Sequence, residues 1–194
     1  MITIRAEKPG DASRFREVNE LAFGRAVEAD IVDALRLARP DALSLVAEES
    51  AAGGDGDTSP SSGGGAEGAG NDGGTVVGYL LFTPATVVSR GRRVAGMGLA
   101  PLAVIPNRQR QGIGSALVRR GLDILRESTC PFVVVLGHPA YYPRFGFEPA
   151  AAAGLSSQWD GVPDEAFMAL VLDAESMRGV SGVARYREEF DAAV

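Results

Sequence analysis

Leu102-Ala103-Val104-Ile105-Pro106-Asn107-Arg108-Gln109-Arg110-Gln111-Gly112-Ile113-Gly114-Ser115 is the stretch whose reading decides the fold. Its first residues are apolar and strand-like, and Pro106 ends the strand because it offers no N–H to a ladder. A loop rich in Arg and Gln follows, and Gly112 opens a helix that runs to Ser128. Ile113, Leu117, Gly121 and Ile124 lie along one face of that helix, with Val118, Leu122 and Leu125 widening the stripe. Pro131 stops it, and Phe132 to Leu136 is a continuous apolar strand of the kind covered on both faces. Strand, helix and strand in succession form a crossover unit, which predicts two adjacent parallel strands. The free N–H groups at the start of the helix, with the positive end of its dipole behind them, make an anion site. Glycine suits that place, because a side chain would hold a phosphate away from the backbone. Arg110 and Arg108 add charge beside it.

Working outward, Ile2 to Arg5 reads as a short strand, and Pro9-Gly10-Asp11 as a turn whose Asp11 can cap a helix. Phe15, Val18, Leu21 and Ala22 recur with helical spacing, and after Gly24 so do Val27, Ile31, Ala34, Leu35 and Ala38. Leu43 to Ala47 and Val76 to Val88 read as strands, the second with bends at Gly78 and Pro84. The strand of the opening stretch extends back to Val94, with distortions expected around Gly96, Gly98 and Pro101. Beyond Leu136 come a short aromatic helix or turn within Pro139 to Phe147 and strands near Phe167 to Leu172 and Val183 to Tyr186. The whole is an α/β domain with a mixed sheet, and no internal repeat is visible.

The length of 194 residues suits one domain, taken as 1–194 with 150–194 completing the sheet. Glycine is abundant, but 10 of the 25 glycines fall between Ala51 and Gly74, a stretch with almost no apolar residue to offset the entropy of ordering. Residues 51–74 are therefore expected to be a disordered loop inside a hairpin. That loop also carries Asp55, Asp57, Glu67 and Asp72 without a base, so the rest of the chain holds only about −2 of the formal net charge of −6. No polybasic footprint for nucleic acid exists at the level of net charge. Cys130 is the only cysteine, which excludes an intrachain disulfide and a cysteine zinc cluster, and no metal site is expected. A lone thiol, an N-terminus without a signal-like apolar run and no apolar stretch near 18 residues predict a cytoplasmic protein that does not cross a membrane.

Which anion would the loop take? A dinucleotide fold would place a third glycine where Leu117 stands, and an acidic residue after the next strand, where Leu136-Gly137-His138 stands. A P-loop would need a lysine, and the only lysine of the chain is Lys8. What remains resembles the GNAT superfamily of N-acetyltransferases, whose acetyl-CoA motif, Arg/Gln-x-x-Gly-x-Gly/Ala after a strand ending in Val-x-Pro, stands here as Val104-Ile105-Pro106 and Gln109-Arg110-Gln111-Gly112-Ile113-Gly114. Tyr142-Pro143-Arg144-Phe145-Gly146-Phe147 matches the superfamily's Tyr-x-x-x-Gly-Phe. The wider run from Leu136 to Phe147, with Phe167-Met168-Ala169-Leu170, looks like the YhbS-like branch.

The resemblance implies a GNAT-like mixed, partly splayed sheet flanked by helices, and acetyl-CoA as co-substrate. Backbone groups of Leu102, Ala103 and Val104 would hold the pantetheine arm as an added strand. Arg110, Gln111, Gly112, Ile113, Gly114 and Ser115 would hold the pyrophosphate. An amine, from a small molecule or a protein or peptide, would attack the thioester directly. A backbone N–H would stabilise the oxyanion, and Tyr142 would protonate the departing thiolate. Dimers are common among relatives, so a homodimer is compatible with the resemblance.

Each candidate also has a plainer reading. Tyr142 could be a packing aromatic, and Tyr141 offers a rival hydroxyl. His138, the only histidine, could act as base or simply end its strand before Pro139. Glu28 could face the acceptor or stabilise a helix N-terminus. Arg119 and Arg120 could reach the 3′-phosphate of CoA or remain solvated. Many superfamily members carry an acidic residue on the strand that here reads Phe132 to Leu136, all apolar. That absence leaves a second reading, a non-catalytic acyl-CoA sensor of the same fold. Trp159 and the segment from Leu155 to Pro163 could cover the acceptor pocket or form a surface loop.

Overall fold

The computed structural model describes residues 1–38, 42–50 and 74–192, with the side chains at 28, 36–38 and 192 outside the description. The expected loop at 51–74 lies outside the described residues except for Gly74, which pairs with Ser50. Strand β1 (Ile2–Ala6) is followed by helices α1 (Ala12–Phe23) and α2 (Val27–Ala38), which turn into one another at Gly24, in the left-handed region at φ 70°. Then come β2 (Leu43–Ser50), β3 (Gly74–Ser89), β4 (Arg92–Val104), α3 (Ile113–Glu127) and β5 (Phe132–Leu136). The chain ends with β6 (Glu148–Pro149), β7 (Leu155–Ser157), β8 (Phe167–Val171) and β9 (Gly182–Arg185). Among the described residues these nine strands form one mixed sheet in the order β1-β2-β3-β4-β5-β8-β6, with β9 on the second edge of β3 and β7 beside β9.

The sheet separates two apolar layers, as alternation along a strand requires. On one side α1 and α2 bring Phe15, Val18, Ile31, Val32 and Leu35 onto Tyr79, Leu81, Ala103, Phe132 and Val134. On the other, α3 brings Ile113, Leu117, Val118 and Leu122 onto Leu80, Phe82, Leu99, Val133 and Val135. β5 thus feeds both layers, which is why its sequence is apolar throughout. The crossover is as expected: β4 and β5 are parallel neighbours.

Their pairing is short. Only Met97 with Val133 and Gly98 with Val134 are in register, after which the two strands part. The cause is visible on the other edge of β4. Leu80 of β3 faces Leu102, but Phe82 faces Leu99, so β4 carries an extra residue around Ala100 and Pro101. Such a bulge bends the strand that holds it. The distortion expected near Pro101 is therefore the point at which the sheet splays.

Several local expectations are corrected. Leu21 is 51% exposed, because it lies roughly 95° around α1 from the centre of the face of Phe15, Val18 and Ala22; Asn19 takes the buried place instead. Ala34 of α2 is likewise exposed. The carboxylate of Asp11 does not cap α1; it accepts from the Lys8 N–H at 2.8 Å and from Arg5 Nη1 at 2.7 Å. Arg5 also donates to Glu48 Oε2 at 2.9 Å, which ties β1, β2 and the turn before α1 together. The short strands β6 and β7 had no counterpart in the sequence reading. No helix among the described residues is long and apolar enough to cross a membrane.

Candidate active site

The parting of β4 and β5 opens a cavity of about 380 Å³. Leu99 to Leu102 line it from β4, and Leu136, Gly137 and His138 from the end of β5, with Tyr142 beside them. A second cleft, of about 640 Å³, is lined by Leu102, Val104, the loop from Arg108 to Arg110, Gly112, Gly114, Ser115 and Arg144. Leu102 and Tyr141 line both, so the two spaces meet along the free edge of β4.

The edge itself has a defined polarity. Ile105 N–H donates to Val77 O of β3 at 3.0 Å. Backbone groups alternate between the two edges of a strand, so Ala103 also turns to β3 while Leu102 and Val104 turn to the open side. The Val104 carbonyl confirms this parity by accepting from Gln109 Nε2 at 2.9 Å. Of the three residues expected on the pantetheine edge, Ala103 is therefore turned away.

At the end of β4 the loop winds tightly. Arg110 has φ 60° and Gly112, the residue before α3, has φ 86°, both in the left-handed region. Gln111 Nε2 donates to Asn107 O at 3.1 Å, so this side chain braces the loop. Arg108 is engaged as well, with Nε 3.0 Å from Glu49 Oε2, and fastens the loop to β2. The first helical bond of α3 runs from Ala116 N–H to Gly112 O at 2.9 Å, which leaves the N–H groups of Ile113, Gly114 and Ser115 without a partner inside the helix. A Cβ on Gly114 would stand 3.0 Å from the Tyr141 hydroxyl, a second reason for glycine there. Arg110 is exposed, and among the described residues it has no ion-pair partner. Arg119, a candidate for the 3′-phosphate, is exposed with its guanidinium over the Phe145 ring at 5.6 Å; Arg120 is exposed beside it.

The two tyrosines after His138 take different places. Tyr141 Oη lies 3.4 Å from Ser115 Oγ, toward the loop, and Arg144 covers its ring at 4.7 Å. Tyr142 is turned the other way, 7% exposed, edge-on to Tyr141 and Phe147. Its ring lies on Gly137, where any Cβ would collide with it. Burial, with a smaller contribution from Tyr141, pushes its phenol well above the ordinary tyrosine value, so the hydroxyl stays protonated. Among the described residues that hydroxyl has no hydrogen-bond partner.

Tyr186 was not among the sequence candidates, yet it sits in the fork of the sheet. Its ring lies against Gly98, the last residue of β4 paired with β5, and its hydroxyl donates to Val134 O at 2.9 Å. Trp159 packs on it with ring centroids 5.3 Å apart, and Phe190 meets it edge-on at 5.4 Å. Trp159 Nε1 donates to Asp191 Oδ1 at 2.9 Å, which fixes the indole. Trp159 and Phe190 line the 380 Å³ cavity together with Phe23 and Ile31. His138 is exposed and lines the same cavity as Tyr142. Glu28 belongs to α2, and its side chain lies outside the described residues.

Comparison with known proteins supplies the family. The profile of the Acetyltransferase (GNAT) domain matches residues 66–150. The N-acetyltransferase YhbS of Escherichia coli strain K12 is 35% identical over 188 residues, which is 97% of this chain and 98% of that protein. The chain belongs to the GNAT acetyltransferase family. Another family member, the N-acetyltransferase YjhQ of Escherichia coli strain K12, is 41% identical over 152 residues, 77% of this chain and 71% of its own. The GNAT fold is seen at a TM-score of 0.79 in Escherichia coli YhbS in complex with CoA, at 34% identity and covering 98% of this chain and 92% of that one. A GNAT family acetyltransferase from Brucella melitensis, in complex with acetyl-CoA, matches at 0.70 and 33% identity, covering 98% and 99%. The splayed GNAT sheet expected from the sequence is thus present.

Proposed function

We propose that this GNAT protein transfers an acetyl group from acetyl-CoA to an amine by direct attack on the thioester. The observation that carries the reading is a single continuous path: a helix N-terminus with free N–H groups, then the unpaired edge of β4, then a buried phenol without a partner. The CoA complex of YhbS and the acetyl-CoA complex of the Brucella melitensis protein support the same co-substrate here.

In this reading the pyrophosphate sits on the N–H groups of Ile113, Gly114 and Ser115, with Arg110 adding charge and Gly112 permitting the approach. Gln111 and Arg108 hold the loop in shape. Leu102 and Val104 pair with the pantetheine arm, which becomes a strand in the gap left by β5. The amine nitrogen then attacks the thioester carbon, and an oxyanion forms that a free N–H of the bulged β4 segment can stabilise. When the C–S bond breaks, the electron pair goes to sulfur and Tyr142 delivers the proton it has kept. His138 is the only basic side chain among the described residues of the wall, and we assign it the proton released by the attacking nitrogen. Tyr142 recovers its own proton from solvent.

Calorimetric titration with acetyl-CoA tests the co-substrate. Saturable binding is expected, and Gly112→Glu should abolish it by placing a carboxylate in the anion site. No saturable binding by the unaltered protein would refute the assignment. Amine-dependent thiol release distinguishes an enzyme from an acyl-CoA sensor, and the sensor reading would gain if acetyl-CoA bound but no amine released thiol.

A further inference from the structure

The acceptor end of the cavity has a chemistry of its own. Phe23, Ile31, Trp159, Tyr186 and Phe190 line it together with Tyr142. Among the described residues of the lining there is no carboxylate, no lysine and no arginine, and His138 is the one basic group. Asp191, next to Phe190 in the chain, is held by Trp159 Nε1 and by Gln158 Nε2, each at 2.9 Å. These contacts fix the indole, and Asp191 is not part of the lining.

We infer, on the reading given above, that the acceptor is a small monoamine carried on a flat apolar body, such as an arylalkylamine. Two features argue for it. The first is charge. Among the described residues of the lining, a second cationic centre, as in a polyamine, would meet no anion, and a carboxylate, as in a free amino acid, would meet no basic group but His138. Either would lose its hydration without replacement. A single amine fares better, because the faces of Trp159, Phe190 and Phe23 can take a cation, and desolvation favours the neutral form that attacks. The second is shape. At about 380 Å³, shared with the acetyl end of the co-substrate, the cavity is near the small end of the ~300–1,000 Å³ of ligand pockets and admits one ring system. Trp159 is braced from behind by Tyr186 and Asp191, so it offers a fixed plane for stacking. Trp159 and Phe190 act as specificity-determining residues in this assignment.

The test uses the full chain and acetyl-CoA, with 2-phenylethylamine, spermidine and phenylalanine as probes, following thiol release. The expected result is a kcat/KM for 2-phenylethylamine at least about 100-fold above those for spermidine and phenylalanine, the scale on which unmatched polar groups discriminate. Trp159→Ala should raise KM for 2-phenylethylamine by about tenfold or more while KM for acetyl-CoA stays within about twofold, and Trp159→Phe should restore most of the loss. Phe190→Glu, a second variant that supplies the missing acid, should shift the preference toward spermidine. Equal or better turnover of spermidine or phenylalanine by the unaltered protein, with acetyl-CoA bound, would overturn this inference alone. So would an unchanged amine KM in both Trp159→Ala and Phe190→Glu. Failure to bind acetyl-CoA at all would overturn the underlying reading and this one with it.

Discussion

Replacing Tyr142 by Phe removes one oxygen and leaves the rest of the site standing, so its effects on stability and on chemistry can be separated. The ring is 7% exposed and packs edge-on to Tyr141 at 5.1 Å and to Phe147 at 5.7 Å. Phenylalanine keeps these contacts. Since the hydroxyl has no partner among the described residues, its removal strands no buried group. The stability change should stay within about 0.5 kcal/mol, which for a chain of this length is a Tm shift of no more than about 2 °C. Turnover is another matter. A positioned general acid contributes about 100- to 10,000-fold, or about 2.7–5.5 kcal/mol in the barrier. Tyr142→Phe should therefore lower kcat by at least about 100-fold, with the Kd for acetyl-CoA unchanged. Tyr141→Phe is the matched control: its hydroxyl lies 3.4 Å from Ser115 Oγ on the cofactor side, so it should weaken acetyl-CoA binding and leave kcat nearly intact. The pH dependence adds a further check. Burial raises the Tyr142 phenol, so the folded protein holds that proton more tightly than the unfolded chain does. Stability is thus present below the ordinary phenol value of about 10 and declines above it. Tyr142→Phe should reduce that alkaline decline. Steady-state kinetics with saturating acetyl-CoA, calorimetric Kd and thermal melts at several pH values give all the quantities. A kcat within about threefold of the parent, or a loss confined to Kd, would refute the assignment of Tyr142 as acid.

Other substitutions probe the surrounding structure. Gly112→Ala places a side chain at φ 86° with no atom within 4 Å of its Cβ, so the cost is conformational: about 1–2 kcal/mol, seen as a Tm fall of about 2–8 °C and a weaker acetyl-CoA Kd. Arg110→Gly should separate these effects, relieving a residue at φ 60° and raising Tm while affinity falls with the lost charge. Arg5→Met leaves Asp11 and Glu48 without their cation. Because Glu48 is 19% exposed, the cost should be about 2–3 kcal/mol, below the ~3–5 of a fully buried pair. Arg5 holds both carboxyls below the ordinary range, so their contribution is present above about pH 4 and lost as pH falls. Urea melts from pH 7 to pH 3 should show a flatter acid decline in Arg5→Met than in the parent. Residues 51–73 join the paired ends Ser50 and Gly74, so an Asn-Gly turn in their place should preserve folding and acetyl-CoA affinity; a folded variant unable to bind would show that the segment contributes to the site.

The parts of the fold that were legible in the sequence are those governed by local period. The stripe on α3 and the unbroken apolar run of β5 identified the crossover, and the glycines marked the helix start that we propose as its anion site. They did so because each is set by neighbours within a turn or a strand. Leu21 shows the limit of that signal, since an apolar residue at plausible spacing lies outside the buried arc while Asn19 lies inside it. Contacts between distant segments left no such trace. Arg108 reads as a phosphate ligand until Glu49, 59 residues away, is seen to hold it. The inversion of Ala103 relative to Leu102 and Val104 depends on how β4 aligns with β3 past the bulge. Trp159 lies in a stretch without period, and its neighbours in space come from the last residues of the chain.

The least legible feature is also the one on which the site depends, namely what occupies the fork between β4 and β5. Parting two strands in mid-sheet leaves backbone groups to be satisfied and volume to be filled. Here two tyrosines do this, each lying on a glycine of one of the diverging segments. Tyr186 lies against Gly98 at the root of the fork and satisfies the Val134 carbonyl, while Tyr142 lies on Gly137 just beyond the end of β5. In each case a Cβ would exclude the ring. The roles then divide by partner. Tyr186 has given its hydroxyl to the sheet and serves as wedge and platform for Trp159, whereas Tyr142, equally enclosed in aromatic surface, has no acceptor among the described residues. Such a phenol, its ring enclosed and its oxygen without a partner among the described residues where Tyr142 lines the cavity, keeps its proton. In the proposed reaction that proton goes to the expelled thiolate, and the open edge at Leu102 and Val104 leads toward Tyr142.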